Sequence, residues 1–167
     1  MADTDLNAST LTVTITESLA VGHDNGSTDS LDFAQTYTHT FGSIINTSKR
    51  IIKLANTNLT EVATFGSDTA NGAFVRADVR YIRVTNLDDT NPMNLSLQVA
   101  GAEGGTANMS TTVLVKAGES FMLGTVHDGI ALADDTANIV TALTDLESLL
   151  VDPLSENIDV EVFIASV

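Results

Sequence analysis

The chain has 167 residues, 43% hydrophobic and 17% charged, with 22 acidic against 7 basic side chains and a formal charge of −15. That length suits one domain with a core of its own, and the acidic surplus argues against nucleic acid or an anionic membrane as partner, because phosphate is repelled. The absence of Cys excludes a disulfide framework and thiol chemistry. No apolar run nears the roughly 18 residues of a membrane span. The first ten residues also lack the basic and apolar regions of a secretory signal, so synthesis in a cytosol is expected. Thr, Ser, Asn and Gly fill the uncharged polar remainder, which favours pleated strands and tight turns over helices.

Residues 1–9 read as an arm. Residues 10–16 alternate strictly: Leu11, Val13 and Ile15 share one face, and Thr10, Thr12, Thr14 and Thr16 share the other. That is the period of a half-buried strand. Residues 22–31 are turn residues throughout. A second alternating strand sets Thr36, Thr38 and Thr40 against Tyr37, His39 and Phe41. Residues 49–55 form a shorter apolar run with a basic edge, and residues 60–65 are expected to pair with it as a hairpin across 56–59. After a loop over 66–73, residues 78–85 and 93–99 read as a strand pair joined through 86–92. Pro92 stands at the strand entrance, where its missing N–H does no harm. Residues 101–105 are a loop. Residues 112–116 and 120–125 are strands around a turn at 117–119. Residues 134–143 read as a short helix or a loop, and 146–151 as a strand. Residues 158–164 close the chain with Ile158, Val160, Val162 and Ile164 on one face, a strand expected to pair inside a sheet.

Short strands with turn signals every 8–12 residues or so predict a sandwich or barrel. The expected fold is all-β: an antiparallel sandwich, jelly-roll-like, over residues 36–167, with an extended N-terminal segment over 1–35.

Candidate sites are few. His23, His39 and His127 lack the paired spacing that would bring several ligands to one metal, and His39 is expected among Tyr37 and Phe41 on a strand face. The acidic turns at 24–29, 88–89 and 134–135 do not follow the alternate spacing of a calcium loop; Asx residues in turns commonly bond their own backbone. No nucleophile elbow is present. Glycines 101, 104, 105 and 118 form no phosphate loop. The expectation is therefore a protein that is not an enzyme and holds no cofactor or metal. The basic residues are more informative. Lys49, Arg50 and Lys53 lie in one strand, and Arg76, Arg80 and Arg83 lie around another. If those strands are neighbours, one side is basic and suits an acidic partner or the acidic face of another copy. The other reading is local salt bridging to residues such as Asp78 and Glu61. Lys49, Arg50, Arg80 and Arg83 are the candidate interface residues.

Residues 81–89 (YIRVTNLDD), 93–97 (MNLSL), 115–124 (VKAGESFMLG) and 158–165 (IDVEVFIA) resemble, in style and order, small virion proteins of tailed bacteriophages. Residues 11–17 and 49–52 are in the same style. The resemblance implies an accessory structural role, foremost a capsid decoration (cement) protein that stabilises the head shell. It also implies the major capsid protein or other virion proteins as partners, a trimer or dimer of the chain itself, and location in the virion. A tail, neck or fibre component is the alternative within this class, and a carbohydrate-binding sandwich module is the alternative outside it.

Overall fold

A computed structural model describes residues 8–19, 33–67, 72–99, 109–125 and 146–167. The turn expected over 22–31, the loop 101–105 and the helix or loop over 134–143 lie outside the described residues. So do His23, His127 and the acidic turns at 24–29 and 134–135. Eleven strands are described: β1 (Ser9–Leu19), β2 (Phe33–Ile44), β3 (Asn46–Leu54), β4 (Thr60–Gly66), β5 (Phe74–Val75), β6 (Val79–Asn86), β7 (Met93–Val99), β8 (Met109–Val115), β9 (Ser120–Gly124), β10 (Leu146–Asp152) and β11 (Ile158–Ser166). One 3-10 turn, Arg76–Asp78, leads into β6.

The strands form two main sheets, ordered β5-β4-β10-β7-β8 and β3-β11-β6-β9, and a separate two-stranded sheet, β1-β2. Pairing is antiparallel except for the two-residue parallel contact of β5 with β4. Each strand of the four-stranded sheet connects through a short loop to the strand at the matching place in the other sheet: β3 to β4, β6 to β7, β8 to β9 and β10 to β11. This is the jelly-roll arrangement of an all-β sandwich.

Period-two alternation explains the layers. Ile82, Val84, Val160, Val162 and Ile164 face inward from one sheet; Met93, Leu95, Leu97, Leu149 and Val151 face them from the other, and all are buried in one cluster. As expected, the C-terminal strand is central, with β3 on one side and β6 on the other.

The expected pairings are corrected. β3 does not form a hairpin with β4; it pairs with β11, while β4 pairs with β10. β6 and β7 likewise lie in different sheets. The loops at 55–59 and 87–92 are therefore arches that step across the roughly 10 Å between sheets, not turns that close the roughly 4.8 Å between strands. The hairpin that does form is β1 with β2, in continuous register from Leu11 opposite Phe41 to Leu19 opposite Phe33. Residue 35, the expected end of the N-terminal segment, falls inside β2.

Candidate functional site

The four-stranded sheet turns one face to the core and the other outward. Register places Lys49, Phe163, Arg83 and Met122 in one outward row across β3, β11, β6 and β9. The next rows are Ile51, Glu161, Thr85 and Ser120 on one side, and Thr47, Ala165, Tyr81 and Gly124 on the other. These cross-strand and diagonal neighbours are close enough to interact directly.

Glu161 is the centre of this face. Its Oε2 accepts from Lys49 Nζ at 3.1 Å, and its Oε1 is bonded by Arg83 Nη2. Glu161 is 13% accessible, whereas Lys49 is 63% accessible. The Lys49 ammonium and the Arg83 guanidinium hold the Glu161 carboxyl below its usual range, outweighing burial, which pushes it up. The Arg83 guanidinium also sits 5.8 Å from the centre of the Phe163 ring, within cation–π range.

A lowered folded-state pKa means that Glu161 stabilises the fold fully above its unfolded value, near 4.5, and loses that contribution as pH falls through the lower folded value. Glu161→Gln is therefore expected to cost a few tenths to about 1 kcal/mol at neutral pH, because Lys49 is largely open to solvent, which screens its pair with the more covered Glu161. The gap between the variant and the parent should close in acid. Urea titrations of both proteins at pH 7 and pH 3 measure it, and a gap that widens in acid contradicts the ion pairs.

Above this face lies the β1–β2 hairpin. Phe41, Ile44, Tyr81 and Ala165 form a second buried cluster, with Leu11, Val13 and Phe163 packed against it. The Phe41 and Tyr81 rings are 5.5 Å apart, and the Tyr81 and Phe163 rings are 6.0 Å apart and near edge-on. Such tilted contacts suit aromatic quadrupoles. Burial raises the Tyr81 phenol pKa, with Arg83 opposing. Under the hairpin run two apolar clefts of about 390 and 400 Å³ that share Val13, Ile15, Tyr81 and Met122. His39 lines the first, on the Phe41 side; Arg83 and Phe163 line the second.

The basic candidates separate. Lys49 and Arg83 meet at Glu161, but β3 and β6 are not neighbours, because β11 lies between them. Arg50 sits on the opposite face of β3, in register with inward-facing Val162, and donates to the Val62 carbonyl of β4 at 2.7 Å. An inward-pointing charge on an edge strand, with lysines beside it, discourages further strands from adding there. Arg80 folds back to donate to the Ala77 carbonyl at 2.7 Å, which fastens the 3-10 turn. A single continuous basic side, expected if the strands were adjacent, does not form. The salt-bridge partner is Glu161, which sequence reasoning did not single out.

The remaining acidic turn is structural. Asp88 Oδ1 accepts from the backbone N–H of Thr90 at 2.8 Å and of Asn91 at 2.6 Å, and from Asn91 Nδ2 at 3.1 Å. Those bonds, foremost the Asn91 N–H, lower its pKa. Asp88, Asp89, Asp159 and Lys53 line an open hollow of about 590 Å³ at one end of the sandwich. Among the described residues, no group of three or more His, Asp or Glu is placed to hold a metal ion. Comparison with protein-family models, with curated proteins and with solved structures returned no match.

Proposed function

We propose that this chain is a structural protein of a tailed-phage virion, foremost a capsid decoration (cement) protein that stabilises the head shell by bridging its subunits. The observation that carries this reading is a jelly roll whose four-stranded sheet carries the β1–β2 sheet on its outer face, with Leu19 and Tyr37 left exposed. Jelly rolls serve as capsid and lectin domains among others, so the fold alone assigns no role. The resemblance of residues 81–89, 93–97, 115–124 and 158–165 to small virion proteins directs the choice.

The reading needs no reaction, cofactor or metal. Its partner is the major capsid protein, and its work is mass action. A protein that binds the assembled shell alone stabilises it by RT ln(1 + [L]/Kd), about 2.7 kcal/mol per site at 100 times Kd. Particles lacking this chain are thus expected to rupture at lower temperature, and under milder osmotic shock, than complete particles. Adding the purified protein back should restore resistance. Equal resistance with and without it contradicts the cement role. A count of about a dozen or fewer copies per particle, rather than hundreds, moves the assignment to the tail, neck or fibre.

A further inference from the structure

We propose that the two clefts under the β1–β2 hairpin form one binding site for an amphipathic carboxylate, a molecule with an apolar tail and a single anionic head. The clefts adjoin, because Val13, Ile15, Tyr81 and Met122 line both. At about 390 and 400 Å³, each has the size of a small-molecule site. Such sites combine apolar walls with a few placed polar groups. The walls here come from two separate sheets: Val13 and Ile15 stand on β1, and Tyr81 and Met122 on β6 and β9. Met122 is 44% exposed, so apolar surface between the layers stays open to a ligand.

Arg83 supplies the partner for the head group. It lines the second cleft together with Phe163. Its Nη2 bonds Glu161, and its guanidinium lies 5.8 Å from the centre of the Phe163 ring. Its Nε is buried and, among the described residues, has no hydrogen-bond partner. A buried donor left unpaired is costly, and a carboxylate is the acceptor that fits a guanidinium edge. The side chain as a whole is 35% accessible, so a head group reaches it.

Charge selects the same ligand class. Lys49 and Arg83 share the one carboxylate of Glu161, which leaves one positive charge in excess. A ligand carboxylate neutralises it; an alcohol or an amine does not. The chain as a whole carries −15 and repels anions, so a small anion without a tail is not retained. With the head at Arg83, the tail runs along Val13, Ile15, Tyr81 and Met122 towards Phe41. The occupant then touches the hairpin and the four-stranded sheet at once and fastens one to the other.

Binding is a property of the isolated chain and is measured without particles. Calorimetric titration of the full-length protein with decanoate at pH 7 is expected to show saturable binding, with 1-decanol and acetate each weaker by about tenfold or more. Arg83→Met should bring decanoate down to the level of decanol and leave decanol unchanged. Arg80→Met removes a guanidinium that lies outside both clefts and should change neither. Met122→Trp fills the shared stretch and should abolish both. At decanoate 100 times Kd, amide exchange through release of the hairpin should slow about a hundredfold across β1 and β2, while β4 and β10 in the other sheet keep their rates. The parent chain decides the matter even where a variant fails to fold. No saturable binding of decanoate, or decanol bound as tightly, overturns the proposal. So does binding that leaves exchange in β1 and β2 unchanged, or that survives Met122→Trp.

Discussion

Asn86→Asp is expected to lower the stability of the sandwich by about 3–5 kcal/mol at neutral pH, the range for a buried charge left without a partner. Asn86 is fully buried at the end of β6. Its Nδ2 donates to the carbonyls of Asn91 at 2.8 Å and Val115 at 3.4 Å, and its Oδ1 accepts from the Asp88 N–H at 3.0 Å. Its backbone N–H donates to the Glu119 carbonyl, and its carbonyl accepts from the Gly118 N–H. One residue therefore ties the arch at 87–92 to the turn at 116–119. Replacing the amide by a carboxylate of the same shape turns two donated bonds into oxygen facing oxygen. Burial and those carbonyls raise the pKa of the new acid, so the deficit is full above that raised value and shrinks as pH falls through it, when the protonated acid can donate again. Asn86→Ala leaves the same partners unpaired without the charge, and about 2–4 kcal/mol is expected. Urea unfolding with an unchanged slope reads both numbers; a loss below about 1 kcal/mol for the aspartate variant contradicts the role of this side chain.

The strands themselves were legible because burial on one side writes a period of two into the chain. Leu11, Val13 and Ile15, then Met93, Leu95, Leu97 and Val99, then Ile158 to Ile164 all lie on the faces their spacing predicts. The pairings were not legible. A loop such as 55–59 or 87–92 can close a hairpin or bridge two sheets, and the alternation of the flanking strands is the same in either case. The buried amide of Asn86 marks an arch, yet in sequence it is one Asn among several in a turn-rich stretch. The site was half legible for the same reason. The basic residues stand out on an acidic chain, but their meaning depends on β11, which arrives from the far end of the sequence and carries Glu161 between Lys49 and Arg83. Two cationic strands side by side would repel, and a strand with an alternating carboxylate separates and joins them. The aromatic seat of the hairpin (Phe41, Tyr81 and Phe163) likewise draws on three strands that no local pattern connects.

The second large effect concerns that seat. Truncating a buried Phe typically costs about 3–5 kcal/mol, but Phe41→Ala is expected to cost the sandwich much less, because the hairpin can let go. A two-stranded ribbon has little stability of its own, so once its docking is lost the hairpin opens locally and the global penalty stops growing. Amide exchange should therefore accelerate across β1 and β2 while β6 and β11 stay protected and the main thermal transition moves little. Gly124 tests the same contact from the other side. A Cβ placed there meets Phe41 Cζ and Tyr81 Cδ2 at 3.1 Å and the Arg80 carbonyl oxygen at 3.3 Å. That carbonyl is held by the Thr125 N–H at 3.0 Å, so the rings must yield. Gly124→Val should lift Phe41 off the sheet and reproduce the exchange pattern of Phe41→Ala, with Gly124→Ala intermediate. If either variant instead lowers protection uniformly through β6 and β11, the hairpin folds as one cooperative unit with the jelly roll. The seat of β1 and β2 then depends on the whole domain and not on three aromatic rings.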